Sequence, residues 1–410
     1  MNHNATPAGE PSQPTVFRAD QSTIRWNFPA FAKLEDFGDD LISLKPVDIE
    51  TRQRNIARGS LFEVLVEAIV ERIDDRPVYV EFSGGCDSSV VLAASVQACR
   101  HVGHDLPIPL TFRFPLLPET DESDYQDVVL THLGLDLGRR EMITSEFDLL
   151  GPAAQRGLRE LGVVWPAPAV ATSDPYRELE PGLMLSGEGG DEVMGPRRIA
   201  GIFRARDAAR KGQAKAVGGN LIQALGPEAA RRRLMLRDGG LIPPWIEENE
   251  AANYIRQSSR LFCREPLRPS QFGAAYSARP NVWLALHQIT AIAAWAGQTY
   301  AAPLMDMAFV EAVNDLTPTG DLRNRFRVMR RHFGDYLPTS VVNRIDKRYL
   351  QGVYFNDYAR EFARHWDGQI NDDLVDSESL RQHWRDALPS GVWGQSFLLL
   401  QLAWLQQQDV

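Results

Sequence analysis

The sequence of 410 residues predicts an α/β fold, with a doubly wound parallel sheet and a mainly helical C-terminal half. Three observations lead to this prediction. Apolar runs of strand length alternate with stretches of helical period between residues 61 and 186, as in successive β–α–β units. Glycine-rich polar turns directly follow two of these runs. After about residue 195 the helical period continues, and no Gly/Ser/Pro linker separates it from the sheet.

The elements of the sheet can be placed in chain order. Apolar residues at helical spacing over residues 61–73 predict a helix beside the first strand, which we place at residues 78–82. A stretch rich in Val, Leu and Ala predicts the next helix at residues 88–100. The elements that follow are a strand at 108–114, a helix at about 123–133, a third strand near 140–143 and a fourth strand at 182–186.

The remaining segments give a predicted domain organisation. Residues 1–20 have the composition of a disordered tail, and residues 21–75 form an extension that includes the first helix. We place the α/β domain at residues 76–200. Residues 201–410 form a helical region that packs on this domain from the substrate side. Its clearest helical signals are at 281–316, at 325–363 and in the apolar stretch 397–405, which is too short to span a bilayer.

The composition argues against several classes of protein. A net charge of −10 disfavours non-specific binding to nucleic acid. Three cysteines without paired spacing disfavour a disulfide scaffold, a zinc site or an iron–sulfur site. Residues 1–14 have no apolar core, so they do not predict a signal peptide or a membrane anchor. We therefore expect a cytoplasmic enzyme without a membrane or nucleic-acid partner.

The turn after the first strand, residues 83–89, reads Ser-Gly-Gly-Cys-Asp-Ser-Ser. Its glycines let the backbone approach an anion, and the N–H groups that open the next helix point at the same place. Asp87 would repel a bare phosphate, so it predicts a bridging Mg²⁺, which prefers oxygen ligands. The residues predicted to bind phosphate here are Ser83, Gly84, Gly85, Asp87, Ser88 and Ser89.

A second turn follows the fourth strand, where residues 185–192 read Leu-Ser-Gly-Glu-Gly-Gly-Asp-Glu. In doubly wound sheets, ligands bind beyond the carboxyl ends of the strands. Both turns have this position in the predicted fold. The sequence pattern alone therefore predicts one site that is built from the two turns.

Together, the two turns resemble motifs of the asparagine synthetase family. Residues 83–89 are similar to the pyrophosphate loop of the ATP pyrophosphatases in the form Ser-Gly-Gly-Leu-Asp-Ser-Ser, with Cys86 in place of Leu. Residues 186–192 resemble the signature Ser-Gly-Glu-Gly-(Ala/Gly/Ser)-Asp-Glu. Weaker fragments keep the order of that family at residues 121–123, 303–306, 327–330, 337–338 and 344–347. The resemblance spans roughly residues 55–360.

The resemblance implies an ATP-dependent, AMP-forming carbon–nitrogen ligase, with an adenine nucleotide α-hydrolase-like fold in its ATP-pyrophosphatase domain. Such an enzyme uses ATP and Mg²⁺ to adenylate a carboxylate, releases pyrophosphate and passes the acyl group to ammonia or an amine. Asp87 and Asp191 match the family's metal-binding aspartates. The other implied residues are Ser186 and Gly187 at the nucleotide, Glu188 beside the reacting acyl group, and Lys347, which offsets negative charge at the phosphate and the oxyanion.

Simpler interpretations apply to several of these residues. The role of Glu188 and Glu192 could be limited to stabilising the N-terminus of the next helix, where acidic side chains interact favourably with the helix dipole. Lys347 could be a solvated surface lysine, and Asp306 could be a helix cap. The remaining candidates are Arg344 and Arg327 as phosphate contacts and Cys86 as a small buried apolar residue.

The nitrogen donor stays open among free ammonia, ammonia from a separate glutaminase, and an amine on a small molecule or peptide. Only about 75 residues precede the first strand and position 2 is Asn2, so we expect no glutaminase domain within the chain. The amine option resembles lasso-peptide cyclases and β-lactam synthetases, although the latter typically lack a Glu at position 188. A tRNA-modifying ATP pyrophosphatase is disfavoured by the acidic composition and the missing cysteine pair. An inactive scaffold is disfavoured by the intact Asp87, Asp191 and Glu188.

Overall fold

The structure, a computed structural model, describes residues 16, 18–29, 48–114, 117–136, 141–144, 147–237, 242–344, 351–386 and 393–408. Within these residues, five parallel strands form one sheet in the order β3-β2-β1-β4-β5. The strands are β1 (Val78–Glu81), β2 (Ile108–Arg113), β3 (Glu141–Thr144), β4 (Leu183–Leu185) and β5 (Thr299–Ala301). The predicted doubly wound parallel sheet is confirmed.

The strand order places a switch point between β1 and β4. From β1 the chain builds outward through β2 to β3, and it then returns to the other side of β1 to form β4 and β5. Tyr79 in the central strand pairs with Ile108 on one side and with Met184 on the other. Ligands of open α/β sheets bind at such a reversal, outside the carboxyl ends of the strands. The turns after β1 and β4 border this point.

The helices around the first four strands include the three that the sequence predicted. The predicted helix at 61–73 ends at Val70, the one at 88–100 extends by two residues at each end, and the one at 123–133 keeps its bounds. In the described part of the chain these helices are α1 (Gln21–Trp26), α2 (Ile49–Arg58), α3 (Leu61–Val70), α4 (Cys86–Val102), α5 (Ser123–Leu133), α6 (Pro152–Leu161), α7 (Ala169–Arg177) and α8 (Gly190–Val193).

The later part of the chain is helical apart from β5, as predicted. Its helices, again within the described residues, are α9 (Ala200–Arg210), α10 (Ala214–Leu225), α11 (Glu228–Arg237), α12 (Glu248–Phe262), α13 (Phe272–Ser277), α14 (Pro280–Trp295), α15 (Met307–Leu316), α16 (Arg325–Phe333), α17 (Thr339–Val342), α18 (Gln351–Tyr354), α19 (Asp357–His365), α20 (Ser377–Arg385) and α21 (Phe397–Gln408). Short 3₁₀ turns connect some of them.

Strand β5 is the strand that the sequence did not predict. It interrupts the predicted helical stretch 281–316, because α14 ends at Trp295 and Gly297 adopts a left-handed conformation with φ of +87°. Gln298, which is 3% exposed, ties this break to the sheet by accepting a hydrogen bond from the Gly182 N–H and donating one to the Tyr176 carbonyl. A strand of three residues is too short to show a period in the sequence.

Two hydrophobic cores hold these elements. The first covers the sheet and includes the fully buried Leu92, Leu110 and Phe309. The second lies around α1, α6, α7 and the C-terminal helices. In α21, Leu398 and Leu400 are fully buried in this second core, which agrees with the core helix predicted at residues 397–405. No helix among the described residues has both the length and the apolar character that a membrane crossing requires.

The segment before the sheet is partly described. Residues 1–15 of the predicted tail lie outside the described residues, whereas Arg18 forms an antiparallel bridge with Val164 and Ala19 donates a hydrogen bond to the Val163 carbonyl. The division of the chain into domains at residues 75 and 200 stays a prediction. Because β5 comes from the helical part, that part contributes to the sheet as well as covering it.

Asp148 fastens the segment after β3 to the start of α19. Its side chain is fully buried, and its carboxylate accepts hydrogen bonds from the backbone N–H groups of Leu150 (2.9 Å), Asn356 (2.8 Å) and Ala359 (3.0 Å). Leu149 adds a backbone bond to the Tyr354 carbonyl at 2.8 Å. When a buried carboxylate accepts hydrogen bonds from several N–H groups, its removal leaves all of these donors unsatisfied.

We predict that Asp148→Ala lowers the free energy of unfolding by about 2–4 kcal/mol, because buried donors lose a charged acceptor. The matched control is Asp376→Ala, which removes the exposed N-cap of α20 and is expected to cost about 1 kcal/mol. Urea unfolding monitored by circular dichroism measures both values. Equal losses in the two variants would contradict the anchoring role of Asp148.

Candidate active site

The first turn runs from the end of β1 at Glu81 to the start of α4 at Cys86. Gly84 has a φ of +83°, and a Cβ placed there would lie 2.9 Å from Cγ of Gln126, so the position requires glycine. Gly85 is the N-cap of α4 and provides no side-chain cap. The N-terminus of this 17-residue helix therefore presents backbone N–H groups that suit an anion.

The serine hydroxyls shape this turn. The Oγ atoms of Ser83 and Ser88 are 3.1 Å apart, and the Ser88 hydroxyl also donates to the Gly85 carbonyl at 3.1 Å. The buried Ser89 donates to the same carbonyl at 2.7 Å. Ser83 is the exposed member of the three. The structure thus gives Ser88 and Ser89 a role inside the turn, and phosphate binding by the serines stays a prediction.

The second turn packs directly on the first. A Cβ at Gly187 would lie 2.8 Å from the backbone nitrogen of Ser88, and a Cβ at Gly190 would clash with the Asp87 carboxylate. Gly189 has a φ of +83°, and a Cβ there would collide with the Met305 side chain. Each glycine of the second turn therefore allows a close approach, and two of them allow the approach to the first turn.

Backbone and side-chain bonds fix the second turn in place. Its buried Ser186 donates its N–H to the Ala301 carbonyl of β5 at 3.0 Å, and its Oγ accepts from the Glu188 N–H at 3.2 Å. Arg197, which is 2% exposed, holds the far side of α8 by donating to the carbonyls of Gly195 (3.0 Å) and Val193. The second turn is thus anchored both to β5 and to the buried guanidinium of Arg197.

Asp87 and Asp191, the predicted metal ligands, converge on one cationic group. The guanidinium of Arg325 forms an ion pair with each carboxylate, at 2.8 Å for Asp191 and at hydrogen-bonding distance for Asp87. The Arg325 side chain is 16% exposed, Asp87 is 20% exposed and Asp191 is 50% exposed. The two turns therefore direct their acids at a common position.

This arrangement fits a Mg²⁺ ion that is shared with a nucleotide. The guanidinium shows that a positive charge can lie between the two carboxylates, and both donors are oxygen atoms. Within the described residues, no group of three or more His, Cys, Asp or Glu side chains could hold a metal ion. Mg²⁺ typically binds one or two carboxylates and completes its shell with water and substrate phosphates. Metal binding by Asp87 and Asp191 stays a prediction.

Glu188 is an exposed residue of the second turn. Although its surface is accessible, the surrounding protein limits its hydration, and this effect, together with the nearby charge on Glu81, raises the pKa of Glu188 to about 7. Glu192, Asp87 and Asp191 act in the same direction. A carboxyl group with this pKa can both hold and release a proton near neutral pH.

A polar cluster lies beneath Glu188, at the carboxyl end of the sheet. Glu81, the last residue of β1, accepts a hydrogen bond from the buried Tyr176 hydroxyl. Burial raises the pKa of Glu81, whereas hydrogen bonds from Tyr176 and Ser186 lower it. Tyr300 of β5 also interacts with Ser186, and burial raises the pKa of Tyr300. The cluster links β1, β4 and β5 directly under the second turn.

Tyr276 of α13 brings a hydroxyl group to the second turn from the helical half. It is fully buried, and its hydroxyl has no hydrogen-bond partner among the residues that the structure describes. A Cβ on Gly189 would lie 3.3 Å from this oxygen. Burial raises the pKa of Tyr276, and the charges on Glu192 and Glu188 add to the effect. The hydroxyl is therefore a protonated donor beside the turn.

Other predicted candidates lie elsewhere or have other partners. Lys347 falls outside the described residues. Arg344 forms a bidentate pair with Glu122, with one bond at 2.7 Å, and lies over the Tyr125 ring at 3.9 Å. Arg327 is half exposed and pairs with Asp321 at 3.4 Å. Neither arginine contacts the two turns through these bonds.

Two further candidates have simple structural roles. Asp306 is the N-cap of α15, accepts from the Ala308 N–H at 2.8 Å and pairs with Arg72 at 2.6 Å, as the helix-cap interpretation predicts. Burial raises the pKa of the Cys86 thiol to about 12. The thiol therefore stays protonated near neutral pH, but Cys86 is only partly buried against the core of the sheet, so the prediction of a small buried apolar residue holds only in part.

Sequence reasoning missed three residues of the site: Arg325, Tyr276 and Glu81. Glu81 carried a signal, because it is a charged residue inside the apolar run Val78–Phe82. Arg325 and Tyr276 carried none, because both reach the turns from helices that are distant in sequence. Their positions became visible only from the packing of the helical half.

A comparison with protein families gives one match. The family model described as asparagine synthase matches residues 60–406, which is most of the chain and includes both turns and all five strands. A search of curated proteins found no match. The sheet with its switch point, the two packed glycine turns and the family match agree with one another. The chain belongs to the asparagine synthase family.

Proposed function

We propose that this protein is an ATP-dependent, AMP-forming ligase that adenylates a carboxylate, releases pyrophosphate and transfers the acyl group to ammonia or an amine. The observation that carries the proposal is the contact between the two turns at the switch point of the sheet, with Asp87 and Asp191 directed at one cation. The membership in the asparagine synthase family supports this class of reaction.

In this proposal the first turn binds the triphosphate. We assign the β- and γ-phosphates to the N–H groups at the start of α4 and to the exposed Ser83 hydroxyl, because the N-terminus of a helix attracts anions. Asp87 and Asp191 would hold Mg²⁺, which neutralises charge on the phosphates when it is bound. The substrate carboxylate attacks the α-phosphorus, the bond to the β-phosphate breaks, and the first turn retains the leaving pyrophosphate.

The second turn serves the acyl transfer. The nitrogen nucleophile must lose a proton as it attacks the acyl-adenylate, and Glu188 is our candidate for the base because its pKa of about 7 suits proton transfer near neutral pH. The Tyr276 hydroxyl is our candidate for a donor to the substrate. Lys347 remains the proposed group that offsets charge at the phosphate and the oxyanion.

The nitrogen donor and the acid are the open parts of the proposal. Free ammonia, ammonia from a separate glutaminase partner and an amine on a small molecule or peptide all fit the chemistry. The last option corresponds to a peptide macrocyclase of the lasso-peptide cyclase type, and Glu188 argues against a β-lactam synthetase. On the basis of its acidic composition we propose that the enzyme has no nucleic-acid partner. A cytoplasmic location and the lack of a membrane partner remain expectations from the sequence.

A pyrophosphate-release assay tests the proposed function. The purified protein is mixed with ATP, Mg²⁺ and a panel of candidate acids, with and without ammonia. We expect pyrophosphate release that requires both the metal and an acid. A signal that needs only aspartate and ammonia identifies asparagine synthesis, whereas one that needs a peptide identifies macrocyclisation. Release of phosphate and ADP in place of pyrophosphate and AMP would contradict the proposal.

We predict that Asp87→Asn and Asp191→Asn each lower the rate of pyrophosphate release by at least about 10²–10³-fold, because each replaces an anionic oxygen ligand of the metal with a neutral amide. The control is Asp124→Asn, which removes an exposed acid from the first turn of another helix, α5. It tests whether the loss of any acid at the start of a helix is enough to lower the rate of pyrophosphate release. A normal rate in Asp87→Asn would remove the metal assignment.

For Glu188→Gln we expect pyrophosphate release to continue while amide formation falls by about 10²-fold, because the base is lost. In the wild-type protein, amide formation should rise as the pH passes about 7 and Glu188 ionises. The variant should lack this rise. Amide and AMP are quantified by mass spectrometry, with Glu192→Gln as the neighbouring control. The same pH profile in Glu188→Gln would assign the base to another residue.

We predict opposite effects of Tyr276→Phe on stability and activity. Removing a buried hydroxyl without a partner should raise the free energy of unfolding by about 1 kcal/mol, while turnover with the acid substrate falls. The control Tyr176→Phe removes a hydroxyl that does have a partner, Glu81, and should be destabilising. Urea unfolding and steady-state kinetics measure the two effects. A destabilised Tyr276→Phe with normal kinetics would show that the hydroxyl bonds within the protein.

A further inference from the structure

The side chain of Arg325 occupies the position between the two acids of the site. Arg325 opens α16, whose N-cap Asn324 accepts a hydrogen bond from the Phe326 N–H at 2.9 Å. From there its two terminal nitrogens reach different turns: one pairs with Asp87 after β1 and the other with Asp191 after β4. One guanidinium therefore joins both turns to the helical half of the protein.

A guanidinium and a divalent cation cannot share this position. Both are attracted by the same carboxylate oxygens, and their positive charges repel each other at short range. Arg325 is mostly buried, so water screens this repulsion less than it would at an open surface. A metal that takes the Oδ1 atoms of Asp87 and Asp191, which Arg325 contacts, must first displace the Arg325 side chain from them.

The contact with the aspartates does not satisfy every donor of Arg325. Its Nε is buried without a hydrogen-bond partner in the part of the chain that the structure describes, so one donor stays unused. The neighbours of Arg325 in the sequence, Asn324 and Phe326, line an open cavity of about 610 Å³. A phosphate group accepts hydrogen bonds from several edges of a guanidinium at once.

We propose that Arg325 is the internal counter-ion of the metal site, which holds Asp87 and Asp191 together in the free enzyme and is displaced when Mg²⁺ arrives with a nucleotide. The guanidinium then passes from the carboxylates to the phosphates. This inference rests on the proposed function. In the free enzyme the arginine offsets the repulsion between the two acids. It also keeps metal binding weak until a phosphate group is present to bind the guanidinium.

The test measures metal binding without nucleotide and without turnover. Mn²⁺ alone is titrated into the protein, and the loss of its free electron paramagnetic resonance signal reports binding. We expect Arg325→Gln to bind Mn²⁺ at least tenfold more tightly than the wild-type protein, because the competing cation is gone. Arg325→Lys should be intermediate, since one ammonium cannot bridge both acids. The control Arg331→Gln, an exposed arginine of the same helix, should match the wild type.

Two further results complete the test. Asp87→Asn introduced into Arg325→Gln should abolish the gain in affinity, which locates the bound Mn²⁺ between the turns. Circular dichroism verifies folding. If Arg325→Gln does not fold, the Mn²⁺ affinity of Arg325→Lys is compared with that of the wild-type protein instead. Equal Mn²⁺ affinity in the wild-type protein and the folded Arg325 variants overturns the inference while leaving the metal site intact. Absence of Mn²⁺ binding in all of them overturns both the inference and the proposed metal site.

Discussion

Two glycine turns touch at the carboxyl edge of the sheet, and the site depends on this contact. Gly187 lies against Ser88 and Gly190 against the Asp87 carboxylate, at distances that leave no room for a side chain. The sheet makes the contact possible because β1 and β4 are neighbours at its switch point. Without this approach, acids that are about a hundred positions apart in the sequence could not share one cation.

The rest of the structure holds these turns from below and from the side. Ser186 bonds to β5 and to the cluster around Glu81, whereas Arg197 fixes the carbonyls after the second turn. The helical half does more than cover the sheet. Among the described residues, it provides Tyr276 and Arg325, which meet the turns with an unused hydrogen-bond donor each. In the proposed function, substrate selection and metal access depend on how this half packs on the sheet.

The sequence predicted the parts of the protein that are encoded locally. Strands β1 to β4, helices α3, α4 and α5 and both turns were predicted because apolar runs and glycine-rich motifs are contiguous, whereas α6 and α7 were not predicted. Strand β5 was not, because three residues within a helical stretch show no period. Arg325 was not either, because its role arises from a fold that brings it to Asp87 across 238 positions. The role of Lys347 remains a prediction, since it lies outside the described residues.

The central claim is that the two turns together bind one metal ion and the phosphates of ATP. A crystal structure with Mg²⁺ and a non-cleavable ATP analogue tests this most directly. The account predicts Mg²⁺ at about 2.1 Å from an oxygen of both Asp87 and Asp191, with the triphosphate at the N-terminus of α4. A nucleotide bound elsewhere, or a metal that contacts neither aspartate, would contradict it.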